Sequence, residues 1–171
     1  IPCDPDELSE CIKYCAKNQK GPIYLKIGKS GEKNFTKNSE KWAFGKIRKI
    51  KSGYKTAIIS CGPIIRYAFG AINNSGKNSV SIYSAHTLKP FDYIGLKKIF
   101  NKYKKIIVLE DHSYIGGLGS IIKEGAYELK FKGKIQHLAL KDDFLKEYSS
   151  QENLLKKHGI TEKKIRKLIY K

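Results

Sequence analysis

Methionine is absent from this chain of 171 residues, and tryptophan occurs only once, at position 42. A complete translation product begins with methionine, so we expect the chain to be part of a longer gene product whose native mass exceeds 19.4 kDa. No run approaches the roughly 18 apolar residues of a membrane-spanning helix, and no apolar signal core follows a basic start. We therefore expect a cytoplasmic protein without a membrane partner.

Arginine is scarce: it occupies only positions 48, 66 and 166, so 31 of the 34 basic residues are lysine. A net charge of +18 would ordinarily suggest a nucleic-acid partner. Proteins that read bases and phosphates rely on the bidentate guanidinium group of arginine. The joint abundance of lysine, isoleucine and asparagine looks more like the coding bias of an AT-rich genome. We therefore expect a solvated basic surface and no nucleic-acid partner.

The four cysteines at positions 3, 11, 15 and 61 form no C-x-x-C pair. Common metal sites need more ligands at tighter spacing, so the sequence predicts no metal site. Reduced thiols, mostly buried, are the favoured interpretation.

The central stretch of the chain is residues 106–120. Residues 106–109 are four apolar residues, three of them β-branched, and this run is typical of a strand buried on both faces. Glu110, Asp111 and His112 follow at the carboxyl end of that strand, where open α/β sheets place their functional crevice.

Three glycines follow, at positions 116, 117 and 119. Gly116, Gly117 and Gly119 permit a tight turn and a close approach of the backbone to a neighbour. A dinucleotide motif would need glycine or alanine at position 122, where Ile122 would crowd a pyrophosphate. We interpret the turn as structural or as an interface, with phosphate binding at the start of the next helix as a less favoured alternative.

Glu110 and His112 have the chemistry of a general acid–base pair. No motif places a serine or cysteine nucleophile beside them, so a catalytic triad is unsupported and we name no catalytic residue. We favour hydrogen bonds between domains or subunits for Glu110 and His112, and His86 carries the same ambiguity.

Strands alternate with helices over most of the remaining chain. The predicted strands are 56–60, 80–83, 106–109 and 134–140, a loop is predicted at 73–78, and the predicted helices are 64–72, 93–103, 118–130, 147–157 and 161–170. This alternation indicates βαβ units with right-handed crossovers. The predicted fold class is α/β, a doubly wound, mostly parallel sheet of about five strands with helices on both faces.

The first fifty residues follow another pattern. An acidic first turn and an apolar face predict a helix within 1–20, and 23–27 alternates like a strand after Gly21-Pro22. This helix and strand have no sheet of their own to join. We therefore divide the chain into the tail of a preceding domain (1–31), a linker (32–53) and the main domain (54–171).

Five segments in the same order resemble the carboxyl-terminal part of the transketolase family of thiamine diphosphate enzymes, which includes deoxyxylulose-phosphate synthase. They are 2–7 with GPIYLKIGK at 21–29, IISCG at 58–62, TLKPFD at 87–92, VLEDH with GGLGS within 108–120, and HGIT at 158–161. On this resemblance, 1–31 is the tail of a pyrimidine-binding domain and 54–171 is a transketolase-type carboxyl-terminal domain.

The resemblance implies a parent enzyme that moves a two-carbon ketol (glycolaldehyde) unit between sugar phosphates in carbohydrate metabolism. Condensation of pyruvate with glyceraldehyde 3-phosphate and a non-catalytic interaction domain remain alternatives. Thiamine diphosphate and magnesium would bind upstream of Ile1, and the parent would be a homodimer or pair with a cofactor-binding subunit. The implied role of this part is dimerisation and interdomain packing, so we expect it to be inactive alone and to hold no cofactor.

Two lysines are candidates for binding a substrate phosphate. Lys26 and Lys29 lie on and just after the predicted strand at 23–27, and both can act as point charges. In a chain so rich in lysine, ordinary solvated side chains are the favoured alternative. The resemblance gives Lys29 the place of an arginine that grips the sugar phosphate, and lysine keeps that charge without the bidentate fork.

Overall fold

Apolar strands build the centre of the molecule in the computed structural model, which describes residues 1–18, 20–29, 31–72, 78–144 and 146–171. The strands are β1 (Arg48–Lys51), β2 (Thr56–Cys61), β3 (Val80–Ser84), β4 (Lys105–Ser113) and β5 (Lys134–Leu140). They form one sheet in the order β1-β3-β2-β4-β5. β2 to β5 are parallel, and β1 pairs antiparallel to β3 at one edge. The predicted α/β class with a mostly parallel sheet is confirmed.

Helices connect the strands. In the described part of the chain they are α1 (Pro5–Lys17), α2 (Arg66–Ala71), α3 (Tyr93–Lys102), α4 (Leu118–Glu128), α5 (Gln151–Lys157) and α6 (Glu162–Tyr170), with a 3₁₀ turn (Pro63–Ile65) before α2. α5 begins four residues later than predicted because the Ser150 side chain caps it by accepting from the Asn153 backbone. The loop predicted at 73–78 lies outside the described residues except for Asn78. None of the helices in those ranges is long and apolar enough to traverse a bilayer.

The core has two halves, one on each face of the sheet. Ile58 of β2 and Ile107 of β4 pack with α2 and α6, whereas their neighbours Ile59 and Val108 pack with α3 and α4. All four side chains are fully buried. Because helices cover both faces, these strands consist of continuous apolar runs without a polar side.

The first fifty residues differ most from the prediction. α1 forms, and the Asp4 side chain caps it by accepting from the Glu7 backbone at 2.8 Å. The strand predicted at 23–27 is not formed, because no described strand of this chain pairs with it and a strand needs a hydrogen-bonded neighbour. β1 lies inside the predicted linker 32–53. Its sequence, Arg-Lys-Ile-Lys, has no apolar run that would have indicated a strand.

Candidate functional site

Glu110, near the carboxyl end of β4, is a fully buried acid that accepts three hydrogen bonds. Its Oε2 accepts from the Leu118 backbone N–H at 2.7 Å, and its Oε1 accepts from the Gly119 backbone N–H at 2.8 Å. The third bond joins Oε1 to Nε2 of His137 at 2.7 Å. The carboxylate thus caps the start of α4, where a negative charge is favourable, and ties α4 to β5.

The ionisation state of Glu110 follows from these bonds. Burial alone would raise the pKa of the Glu110 carboxyl, but the hydrogen bonds from His137, Gly119 and Leu118 outweigh burial and lower that pKa. An ionised carboxylate only accepts hydrogen bonds, so Nε2 of His137 carries the proton between them. Nδ1 of His137 is buried without a hydrogen-bond partner among the described residues.

Two of the three glycines provide the space for this pair. A Cβ atom at position 117 would lie 2.1 Å from Oε2 of Glu110, and one at position 119 would lie 2.1 Å from Cε1 of His137. Gly116 differs, because nothing lies within 4 Å of its Cβ position but its φ is +80°. Gly116 therefore supplies the left-handed backbone of the turn, and Gly117 and Gly119 supply the close approach.

The start of α4 is not available to a phosphate. Glu110 already accepts from two of its free N–H groups, and the negative charge of that carboxylate would repel an anion. Within the described ranges, no three His, Cys, Asp or Glu side chains are grouped to hold a metal ion. The start of α4 therefore does not fit the diphosphate of thiamine diphosphate.

His112 does not share the environment of Glu110. It is exposed, and its Nδ1 accepts from the Ser113 backbone N–H at 2.6 Å. Glu110 is buried and takes its imidazole partner from β5, so the acid–base pair considered for Glu110 and His112 is not formed. The pair that does form, Glu110 with His137, is closed to solvent, since both side chains are at most 1% exposed.

His137 is the residue of this site that the sequence analysis missed. It lies 27 positions after Glu110, and no local motif links them. The available signal was a titratable side chain inside the strand predicted at 134–140, because such a group needs a hydrogen-bond partner wherever helices cover the sheet. The ring of Tyr114 stacks on His137 with centroids 4.4 Å apart, and Nζ of Lys123 lies 3.9 Å from the centroid of Tyr114.

The segment 20–29 reaches this turn through Lys26. The Lys26 amino group donates to the Asp111 carbonyl at 2.6 Å, and the Gln151 side chain of α5 donates to the Asp111 carboxylate at 3.0 Å. Lys29 is exposed and forms no hydrogen bond or ion pair within the described ranges. The structure therefore brings Lys26 to the polar turn and leaves Lys29 in solvent.

A second buried carboxylate fastens α1 to the sheet. Glu7 is fully buried and accepts from Oγ of Ser84 at 2.7 Å and from the Cys3 backbone at 2.9 Å. Nη1 of Arg48 in β1 lies 3.5 Å from Oε1 of Glu7, and this arginine is also mostly buried. Buried charges need partners, so this cluster holds α1 against β1 and β3.

His86 serves packing at the same edge. It is 2% exposed, its ring stacks on Trp42 with centroids 5.1 Å apart, and its Nδ1 lies 2.8 Å from Oγ1 of Thr87. Burial lowers the pKa of His86 to about 4, so its imidazole is neutral at physiological pH. Nε2 of His86 has no hydrogen-bond partner in the part of the chain that the structure describes.

The family model described as "Transketolase, C-terminal domain" matches residues 45–165. The chain belongs to this family. The match begins before the boundary expected at residue 54 and includes β1. A transketolase-family carboxyl-terminal domain, the resemblance stated from the sequence, is thereby confirmed.

Several curated relatives of this transketolase C-terminal domain are named 1-deoxy-D-xylulose-5-phosphate synthase. The protein from Bacteroides fragilis is 30% identical over 99% of this chain and 27% of its own length. Those from Phocaeicola vulgatus and Thermus thermophilus are 30% and 33% identical over 88% and 74% of this chain, and 25% and 20% of their own lengths. The chain thus spans about a quarter of the length of these relatives.

A solved structure described as "Split gene transketolase, inactive beta4 tetramer" superimposes with a TM-score of 0.83. It is 24% identical, and the alignment covers 98% of this chain and 54% of that one. At this identity the likeness shows the shared fold alone.

Proposed function

We propose that the full-length protein is a thiamine diphosphate-dependent transferase that condenses pyruvate with glyceraldehyde 3-phosphate. The observation that carries this proposal is the single name, 1-deoxy-D-xylulose-5-phosphate synthase, shared by the three curated relatives. Transfer of a ketol unit between sugar phosphates is the second candidate, because the family model that matches the chain is the carboxyl-terminal domain of transketolase. In either case we place the enzyme in the cytoplasm, as a homodimer or with a cofactor-binding subunit.

In this proposal the chain supports a reaction whose cofactor lies outside it. The buried pairs Glu110–His137 and Glu7–Arg48 make the carboxyl edge of the sheet a rigid platform. The segment 20–29 crosses this edge with three exposed apolar side chains. They are Ile23, Tyr24 and Ile27, which are 49%, 86% and 57% exposed. Apolar groups clustered on one segment favour contact with another domain or subunit, which supports a packing role.

Lys29 is the residue of this chain that we propose to contact the substrate phosphate. It is exposed and has no ion-pair partner among the described residues, so its charge is available to an anion. Lys26 is a weaker candidate, because its amino group already donates to the Asp111 carbonyl.

The proposed reaction is tested with the full-length protein, thiamine diphosphate and magnesium. One assay follows condensation of pyruvate with glyceraldehyde 3-phosphate, and a parallel assay follows ketol transfer from xylulose 5-phosphate to ribose 5-phosphate. Activity in the first assay supports the proposal, and activity in the second alone replaces it with the second candidate. If a folded protein that binds the cofactor is inactive in both assays, both candidate reactions are refuted. A folded protein that binds no cofactor favours the non-catalytic interaction domain.

The role of Lys29 is tested by Lys29→Ala, with Lys33→Ala as the matched control because Lys33 is also exposed and lies four positions later in the chain. A hydrogen bond to a charged group contributes about 1.5–3 kcal/mol, so Lys29→Ala should raise the KM for the phosphorylated substrate roughly 10-fold or more. Lys29→Arg should restore it. An unchanged KM in Lys29→Ala, or an equal rise in Lys33→Ala, would dismiss the role.

A further inference from the structure

The end of the sheet at which the parallel strands begin, opposite Glu110, is strongly basic. Here β2, β4 and β5 begin and α3 and α4 end, and seven lysines lie at these points: Lys55, Lys102, Lys104, Lys105, Lys130, Lys132 and Lys134. All are exposed except Lys105, which is partly buried. We call these seven residues the lysine edge. The segments that carry them, 52–56, 102–106 and 128–134, contain one acidic residue, Glu128.

Strand register places these charges side by side. Lys105 of β4 pairs with Lys134 of β5, and Lys55 directly precedes Thr56, the β2 partner of Lys105. Neighbouring strands are about 4.8 Å apart, and like charges directly opposite each other are unfavourable. Burial, together with the charges of Lys134 and Lys55, lowers the pKa of the Lys105 amino group. The lysine edge therefore holds charge repulsion that the fold does not remove.

Among the described residues, no carboxylate forms an ion pair with a lysine of the lysine edge. The ion pairs formed among the described residues all lie elsewhere on the molecule. Nζ of Lys105 donates instead to the Ile169 carbonyl at 3.0 Å, and Nζ of Lys102 lies 5.2 Å from the centroid of the Tyr103 ring. The positive charge of this edge thus remains available to an anion.

The positions of the acidic residues indicate that the charge of the lysine edge does not come from a high lysine content alone. Between residues 41 and 109 the only acid is Asp92, which is 8% exposed and caps α3. The buried acids Glu7 and Glu110 lie toward the opposite edge, near the ends of β3 and β4. A coding bias toward lysine raises the number of basic residues, but it does not separate acids from bases in space.

We propose that the lysine edge binds the phosphate backbone of single-stranded nucleic acid without sequence preference. Lysine meets phosphates as a point charge, and release of counterions from the strand drives such binding. The scarcity of arginine argues against the reading of bases, and it does not argue against contacts to the backbone. Tyr54, which is 72% exposed and adjacent to Lys55, offers a ring on which a base can stack.

Nucleic acid fits this edge better than a membrane surface does. Proteins that lie on membranes insert large apolar side chains beside their basic residues. In the described segments of the lysine edge, the large hydrophobic side chain that is exposed is Tyr54, and no aliphatic one accompanies it. The proposal is independent of the proposed enzymatic reaction.

The test uses the intact protein and a fluorescein-labelled oligothymidylate of about 20 nucleotides, with binding followed by anisotropy between about 50 and 200 mM KCl. The edge variant replaces three lysines by alanine: Lys104, Lys132 and Lys134. The matched variant replaces three exposed lysines elsewhere: Lys17, Lys37 and Lys163. Both variants carry the same net charge, and circular dichroism and the enzymatic assays check that each is folded and active.

We expect the edge variant to bind at least roughly 10-fold more weakly than the native protein, and its log–log salt dependence to be shallower by about 2 for three lost phosphate contacts. We expect the matched variant to bind within about 2-fold of the native protein, because it keeps all seven lysines of the lysine edge and salt screens the distant charges that it loses. Equal weakening in both variants would overturn the proposal, because net charge alone would then explain binding. Absence of binding at the lowest salt, or tighter binding to phosphatidylserine vesicles than to the oligonucleotide, would also overturn it.

Discussion

Substitution of Gly119 by alanine should weaken the hydrogen bonds through which Glu110 connects the start of α4 to β5. The new methyl group would lie 2.1 Å from Cε1 and 2.2 Å from Nε2 of His137, and the His137 side chain is 1% exposed. The ring is enclosed and cannot swing outward without displacing its neighbours. The clash therefore falls on the hydrogen bonds that Glu110 accepts from His137 and from the Gly119 backbone.

The expected cost is about 1.5–5 kcal/mol of unfolding free energy. Overpacking a filled core site costs about 1–3 kcal/mol. Loss of one hydrogen bond to a buried charge adds about 1.5–3 kcal/mol. The higher helix propensity of alanine offsets up to about 1 kcal/mol of this. Gly116→Ala is the matched control, because it has no clash and should cost only the left-handed backbone penalty of about 1–2 kcal/mol.

Urea unfolding of the protein measures both costs, and a double-mutant cycle with His137→Ala identifies their origin. Removing the imidazole ring removes the atoms that the new methyl group meets. Gly119→Ala should therefore cost little in the His137→Ala background. An equal cost in both backgrounds would refute the steric explanation, as would a cost no greater than that of Gly116→Ala.

Three further predictions concern the buried groups near α1. Burial lowers the pKa of His86 from 6.5 to about 4, so as the pH falls the unfolded chain takes up a proton at this histidine before the folded protein does. The free energy of unfolding should therefore drop by about 3 kcal/mol between pH 6.5 and about pH 4. Urea unfolding should show this loss in the native protein and not in His86→Phe. Arg48→Ala should cost about 3–5 kcal/mol because it leaves Glu7 buried without its cation, and Glu7→Gln in the same chain should recover part of the loss. At about pH 8, Ellman's reagent should label only Cys15 quickly, because the other three thiols are buried. Burial also raises the pKa of these three thiols, to about 11 for Cys11 and about 12 for Cys61. A thiol that still reacts quickly in Cys15→Ser would contradict this prediction.

The central strands could be predicted because their environment leaves a local trace. β2 and β4 are covered on both faces, so each is a continuous apolar run that is visible in sequence. β1 leaves no such trace, because edge strands are protected by charged residues and this one has three. The segment 23–27 shows the reverse case. It alternates like a strand, but strand formation depends on a neighbour that the described chain does not provide.

The candidate site divides in the same way. The roles of Gly117 and Gly119 could be anticipated as a close approach, because the glycines lie a few residues from the acid they accommodate. The identity of the group that approaches these glycines could not be anticipated from the sequence. His137 reaches Glu110 through the register of the parallel strands β4 and β5, in which His137 pairs with Val108. Register is set by packing of the whole sheet, so a partner fixed in this way cannot be read from either segment alone.

The fluorescence of the single tryptophan of this chain reports the packing of α1 against the sheet without an added label. Trp42 lies between His86 beyond the end of β3 and Tyr14 of α1, with ring centroids 5.1 Å and 5.7 Å away. Its fluorescence therefore arises from one place, the junction of α1 with the sheet. A protonated imidazole quenches indole emission, so the same signal dims when His86 takes up a proton and shifts when α1 leaves. Emission intensity and wavelength together can separate charging of this junction from its opening, in a chain with no other indole to obscure them.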